Sequence, residues 1–212
     1  MPNLTFSFWS LIPAVVFSFF SFWWRLKEDY QEEAIFGLSL LLLTGLSVVA
    51  VLTSLFIKIN GVVFPIVYFG AALILKVWAL KTKSNLWEIF DALTLPLFYL
   101  LFFAGIGSFL SSNNFWDLKY LGAALVSCLV YLLSKNKYRS FSWYKSGKTG
   151  FLFWEASFVI FLLLSVLAFI DTNVLYFEGI IFILLTIASV EVIYYRAERN
   201  LKNDLKKLFR KK

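Results

Sequence analysis

Residues 62–112 read VVFPIVYFGAALILKVWALKTKSNLWEIFDALTLPLFYLLFFAGIGSFLSS, two apolar arms joined by the short basic turn Lys81-Thr-Lys-Ser-Asn85. Each arm is long enough to cross a bilayer, since about 20 residues rising 1.5 Å apiece span the roughly 30 Å hydrocarbon layer. The same stretch carries Lys76, five residues before the turn, and Glu88 and Asp91, three and six residues after it. That spacing puts all three at similar depth near one membrane face, where an embedded charge ordinarily faces protein or water and has a partner.

Outward from this hairpin the pattern repeats. Of 212 residues, 60% are apolar, 20% aromatic and 16% charged, and the mean hydropathy is +0.78. This is the composition of an all-α, polytopic membrane bundle. Spans are expected at about 4–24, 34–57, 62–80, 86–110, 118–133, 151–170 and 174–195, one transmembrane domain over 1–195, followed by a basic tail over 196–212. No Lys or Arg precedes the first run and no small-residue cleavage pattern follows it, so it reads as a retained helix. Seven spans alternate the loops between two sides, and of the 20 Lys and Arg only Lys58 and Lys119 fall on one of them. The positive-inside rule then predicts an external amino terminus and a cytoplasmic carboxyl terminus.

The chain has no histidine, which removes the side chain best suited to proton transfer near neutral pH, together with Ser-His or Cys-His nucleophile pairs. The single cysteine, Cys128, lies within an apolar run, so neither a disulfide framework nor a zinc cluster is expected, and no metal or cofactor. Catalysis would have to run on carboxylates, Lys, Arg, Tyr or backbone groups. Lys145-Ser-Gly-Lys-Thr149 looks like the end of a phosphate-binding loop, but the leading glycine position is Ser142 and a membrane span follows, so nucleotide binding is rejected.

The net charge of +7 is accounted for by topology, which argues against nucleic acid as a partner. Residues 135–148 interleave cations with Tyr138, Phe141, Trp143 and Tyr144, a mixture suited to the headgroup layer. Ala197, Leu201, Leu205 and Leu208 recur at helical spacing among eight cations of the tail, the pattern of a basic amphipathic helix on the inner leaflet.

With this topology Lys76, Glu88, Asp91, Glu155 and Glu191 all fall in the cytoplasmic third of their spans, as a buried charge network. One reading is an ion or proton path, as in a small permease or proton-coupled carrier. The other is structural: Lys76 pairs with Asp91 or Glu88 to fix the hairpin register, and Glu155 and Glu191 snorkel to the interface. The structural reading is preferred, because a path needs acidic groups in the outer half, where none is expected. The small-residue clusters Gly70-Ala-Ala72, Gly105-Ile-Gly107-Ser108 and Gly122-Ala-Ala124 are expected at close helix approaches. The second runs into Ser111-Ser-Asn-Asn114, giving a polar mouth at the outer face.

This hairpin and mouth resemble the bacterial prolipoprotein diacylglyceryl transferases. Tyr68-Phe-Gly-Ala71 stands where that family has His-Gly-Gly, Lys81-Thr-Lys83 supplies its basic turn, and Asp91 matches an Asp early in its fourth helix. Ala104-Gly-Ile-Gly-Ser-Phe-Leu-Ser-Ser112 stands at the signature Gly-Arg-x-Gly-Asn-Phe-x-Asn-Gly. The resemblance implies seven spans in the bacterial plasma membrane, an external amino terminus and a lipid-accessible cavity between spans three and four. It also implies transfer of diacylglycerol from a phosphatidylglycerol-like phospholipid to the cysteine of a lipoprotein signal peptide. Phe69 replaces the family's histidine, Gly105 its signature arginine and Ser108 its asparagine. An arginine fork is what would pair with a phosphate, so the resemblance implies a reaction impaired or altered. Tyr68 is then the remaining proton-transfer candidate, with Gly70, Gly107, Ser108, Ser111 and Asn113 as headgroup contacts. A non-catalytic lipid-binding or scaffold protein on the same layout is the alternative.

Overall fold

The computed structural model describes residues 4–56, 63–112, 114–144, 146–170 and 176–199, and the regular structure in them is helical. The elements are α1 (Leu4–Leu26), α2 (Glu32–Phe56), α3 (Val63–Thr82), α4 (Leu86–Ala92), α5 (Thr94–Ser112), α6 (Lys119–Ser134), α7 (Phe151–Ile170) and α8 (Tyr176–Arg196), with 3-10 turns at Phe115–Leu118 and Tyr138–Ser140. Counting α4 and α5 as one crossing, seven segments among the described residues are long and apolar enough to span a membrane. The chain is a multi-pass helical membrane protein. Asn113, the expected turns near Lys58 and Asp171, and the tail over 200–212 lie outside the described residues.

The crossing expected as one helix over 86–110 is two. Asn85 starts α4 by accepting the Trp87 N–H on its side-chain oxygen at 3.1 Å, a standard way to satisfy an amide that has no partner within the helix. Eleven residues on, the Pro96 ring excludes the carbonyl of Ala92 from its usual place. The helix therefore stops at Leu93, whose N–H reaches the carbonyls of both Ile89 and Phe90 at 3.0 Å, and resumes as α5. This broken crossing is the one most enclosed by protein.

Around it, α5 packs along α1 on one side and α6 on the other, α6 packs on α7 and α7 on α8, while α3 packs chiefly on α2. The core gathers Leu75, Ile89, Ile160, Phe161, Leu164 and Phe182, all fully buried. Large apolar side chains such as Leu80, Leu129 and Leu133 stay exposed, as befits surfaces bathed in hydrocarbon, where helices associate by shape rather than by exclusion of water. The bundle has a basic end, bearing the 81–85 turn and the 135–150 loop, and an opposite end where α6 and α8 begin.

The glycine clusters are not equivalent. A Cβ on Gly105 would stand 2.7 Å from the Leu121 backbone nitrogen, so α5 and α6 touch backbone to backbone there. At Gly70 a Cβ would meet only ordinary contacts at 3.5 Å from Val49, and at Gly122 it would meet nothing within 4 Å. Of Gly70, Gly105 and Gly122, only Gly105 thus sits at a backbone-to-backbone approach, while Ala123 and Ala124 of the third cluster are buried in the core.

Candidate functional site

The basic end is organised by Asp91, which is 8% exposed. Its carboxylate accepts the N–H of Gly150 at 2.7 Å and that of Phe153 at 3.2 Å. These are amides at the start of α7, where a helix has no internal acceptor for its first N–H groups. Gly150 has no side chain to cap with, so the α4 carboxylate caps α7 from outside. Gly150 sits at φ +97°, and a Cβ there would lie 2.7 Å from Trp87 Cε3. Trp87 in turn stacks under the Arg196 guanidinium, 4.3 Å from the ring centroid. Arg196 donates to the Thr149 carbonyl from Nε at 2.9 Å and also from Nη2.

Further bonds sew this loop to the end of α8. Ser146 Oγ donates to the Arg196 carbonyl at 2.6 Å, the Tyr144 hydroxyl donates to the Lys148 carbonyl at 2.8 Å, and Lys148 pairs with Glu198. Burial pushes the Tyr144 phenol up, and the Lys148 hydrogen bond holds the Glu198 carboxyl below its ordinary value.

The pairing expected for Lys76 is not made. Lys76 lies on the exposed face of α3. Asp91 is satisfied by backbone amides, and Glu88 accepts from Asn85 Nδ2 at 2.8 Å and from the Tyr30 hydroxyl at 3.4 Å. The physical reason is that the amides at a helix start offer partial positive charge already in place, without the cost of stripping water from an ammonium. Burial, with the Glu88 carboxylate second, raises the Tyr30 phenol above its usual range. Glu88 and Tyr30 line a polar cleft with Asp29, Thr82, Ser84 and Asn85.

The remaining acidic residues lie elsewhere. Glu191 is exposed on α8, and Glu155 accepts a hydrogen bond from Ser134 Oγ. Glu88, Asp91, Glu155 and Glu191 thus occupy four separate surroundings rather than one water path.

Tyr68 and several of the candidate headgroup residues are engaged by neighbouring parts of the bundle. Tyr68 is 8% exposed, with its hydroxyl 2.9 Å from Ser157 Oγ and its ring stacked on Phe153 at 5.9 Å and edge-on to Phe161 at 5.0 Å. Since Ser157 and Phe161 lie well inside α7, Tyr68 sits at mid-bundle and not at a mouth. Between α3 and α4 the space at this level is filled by Phe153, which also stacks on Phe90 at 5.0 Å. Phe69, at the position of the family's histidine, is 53% exposed on the outside of the bundle. Gly107 is buried in α5, Gly70 faces Val49 of α2, and the Ser111 hydroxyl turns back to the Ser108 carbonyl at 2.8 Å.

Two features carry no signal strong enough to find in the sequence. At the opposite end Lys119 Nζ lies 3.3 Å from Glu178 Oε1, with side chains only 9% and 8% exposed. This is an acidic group embedded where none was expected: Glu178 lies inside the seventh span, and nothing in the sequence says that Lys119 faces it. The second is an open groove of about 440 Å³ with α7 as its floor and α6 and α8 as its walls. Phe151, Glu155, Phe158 and Val159 line it from α7, Val130 from α6 and Val190 from α8, and Trp143 and Arg199 from the basic end. The sequence hints at the floor only through the i, i+4, i+7, i+8 spacing, which a long apolar helix supplies on every face.

No family model, curated protein or solved structure matches this chain.

Proposed function

We propose that this chain is a non-catalytic, lipid-binding protein of the bacterial plasma membrane, laid out like a prolipoprotein diacylglyceryl transferase but without that family's reaction. The observation that carries the reading is the state of Tyr68: the one proton-transfer group left at the motif positions is buried among Phe153 and Phe161 with its hydroxyl engaged by Ser157. A general base must come within hydrogen-bond reach of the proton it removes, and this hydroxyl is buried and already engaged by Ser157. Gly105, where the signature arginine would present a phosphate-binding fork, is closed against the Leu121 backbone.

Lipid binding is supported by the α6–α7–α8 groove, whose lining is mostly apolar, with Glu155 on its floor and Arg199 near the basic end. Its volume falls within the roughly 300–1,000 Å³ typical of small-ligand sites. The basic end is assigned to the cytoplasm by the distribution of Lys and Arg. The reading is tested with purified protein in phosphatidylglycerol liposomes, a labelled lipoprotein signal peptide and an active transferase as control. No thioether product is expected, and product above background overturns it. Orientation is tested separately: a cysteine at Asn113 should react with a membrane-impermeant thiol reagent in intact cells and one at Ser84 should not, and the reverse pattern inverts the topology.

A further inference from the structure

Among the described residues two charged side chains stand exposed more than one helical turn inside a membrane span: Lys76 on α3 and Glu191 on α8. They are of opposite sign and lie at similar depth. Lys76 is six residues before the end of α3 at Thr82, and Glu191 five before the end of α8 at Arg196. At 1.5 Å per residue that puts them about 9 Å and about 7.5 Å inside the basic end. The two do not meet within one chain. The ion pairs among the described residues are Lys119 with Glu178 and Lys148 with Glu198, and α3 packs chiefly on α2 while α8 packs on α7.

Each charge is set in an apolar stripe that turns away from the bundle. On α3 the stripe is Leu73, Lys76 and Leu80, and on α8 it is Ile187, Glu191 and Tyr195; the uncharged members are all more than half exposed. The stripes match, with one large side chain a turn deeper than the charge and another a turn nearer the water. Both helices run toward the basic end. The α3 stripe of one copy laid beside the α8 stripe of another therefore forms a parallel pair, with Leu73 level with Ile187, Lys76 with Glu191 and Leu80 with Tyr195.

Apolar exposure alone says little here, since lipid tails suit such faces as well as a protein does. The charges say more. A charge facing hydrocarbon is costly and ordinarily finds a partner. Lysine can lift its ammonium toward the headgroups along its stem, but the shorter glutamate stem carries its carboxylate less far. Attraction between opposite charges also grows as the dielectric falls.

We infer that copies of this chain associate side by side in the membrane, α3 of one against α8 of the next, with Lys76 of one copy paired to Glu191 of its neighbour. The two surfaces differ, so the contact is heterologous, and each chain has one of each to offer. The pair joins copies and holds no helices together within a chain. In detergent dilute enough to separate the copies, changing either charge therefore leaves the unfolding midpoint in place. This assembly is independent of the lipid-binding reading.

Cross-linking of the full chain in liposomes tests it, with Cys128→Ala removing the native thiol. One tagged copy carries Leu80→Cys and a differently tagged copy Tyr195→Cys, both near the water, where a short bis-maleimide reaches them. A product bearing both tags is expected, well above that from Leu133→Cys on α6 paired with Tyr195→Cys. Lys76→Glu or Glu191→Lys in both copies sets like charges against each other and should cut the product about tenfold or more, the scale of spoiling one desolvated charge pair. Mixing a Leu80→Cys copy that carries Lys76→Glu with a Tyr195→Cys copy that carries Glu191→Lys restores opposite charges and should restore the product. A two-tag product no greater than the Leu133→Cys control refutes the contact. Product undiminished by the reversals, or no recovery in the mixture, refutes the pairing and means that each charge is met by headgroups or by the chain's own tail. Should the reversals fail to fold, Lys76→Met and Glu191→Gln remove the attraction without adding repulsion; they should still lower the product, and an unchanged yield overturns the pairing.

Discussion

Replacing Asp91 by alanine should be among the most damaging single changes in the chain. The carboxylate satisfies two amides at the α7 start, Gly150 at 2.7 Å and Phe153 at 3.2 Å, from a side chain that is 8% exposed. Each buried N–H left without an acceptor costs about 1–3 kcal/mol, and loss of negative charge at a helix start removes up to about 2 kcal/mol more in a partly buried site. Relaxation recovers part of this, so about 3–4 kcal/mol is expected. For a chain of this size, with about 2–4 °C per kcal/mol, the unfolding midpoint in detergent should fall by about 6–16 °C. Asp91→Asn retains one acceptor oxygen and should lose about half as much. Gly150→Ala should resemble Asp91→Ala, because it forces a side chain to φ +97° and to within 2.7 Å of Trp87. Glu191→Ala, exposed on α8, is the control and should stay within about 0.5 kcal/mol. A midpoint for Asp91→Ala within about 2 °C of the unaltered protein would refute the capping role. A proton carrier would behave in the opposite way, keeping its stability and losing transport.

Gly105→Ala should cost about 1–3 kcal/mol by pushing α5 off α6, whereas Gly122→Ala, with open space around it, should be neutral or stabilising by up to about 1 kcal/mol. Thermal unfolding of the two variants side by side checks this, and equal losses would mean the α5–α6 contact is misplaced. Lys119→Met leaves the buried Glu178 without a cation and should lose about 3–5 kcal/mol, while Lys119→Met with Glu178→Leu should recover most of it; a double variant no better than the single would show that the pair is not coupled. Glu198→Gln tests an exposed pair. The Glu198 carboxyl is held below its ordinary 4.5 by Lys148, so any stabilisation is present above 4.5 and disappears as pH falls through the lowered value. The midpoints of Glu198→Gln and the unaltered chain should therefore converge on acidification, and a gap that widens below pH 4.5 would contradict the assignment.

The sequence made some of the site visible and hid the rest for definable reasons. Asp91 drew attention as a charge in an apolar run, yet the partner expected for it was Lys76, the nearest cation in the hairpin. Its partners are backbone amides 59 and 62 residues away, and every residue type supplies an amide, so nothing in composition points to them. Tyr68 was conspicuous as the remaining proton-transfer group, but whether its hydroxyl met substrate or Ser157 depended on which helix α3 faced. The break at Leu93 was missed although Pro96 lies in the run expected as one helix, because apolar length alone was read there.

What the sequence determined by itself was the architecture along the membrane normal: an all-α chain, seven crossings within a few residues of their ends, and one basic end. Those properties are one-dimensional, set by the length of apolar runs and by which loops hold the cations. The tertiary structure decided everything that depends on rotation about the helix axes. It closed Gly105 against Leu121 and left Gly122 open, brought Lys119 to Glu178, set Asp91 over the start of α7, and opened a groove beside Glu155. In a chain whose helices are apolar on nearly every face, hydrophobic periodicity does not say which face turns inward; the contacts between distant helices do.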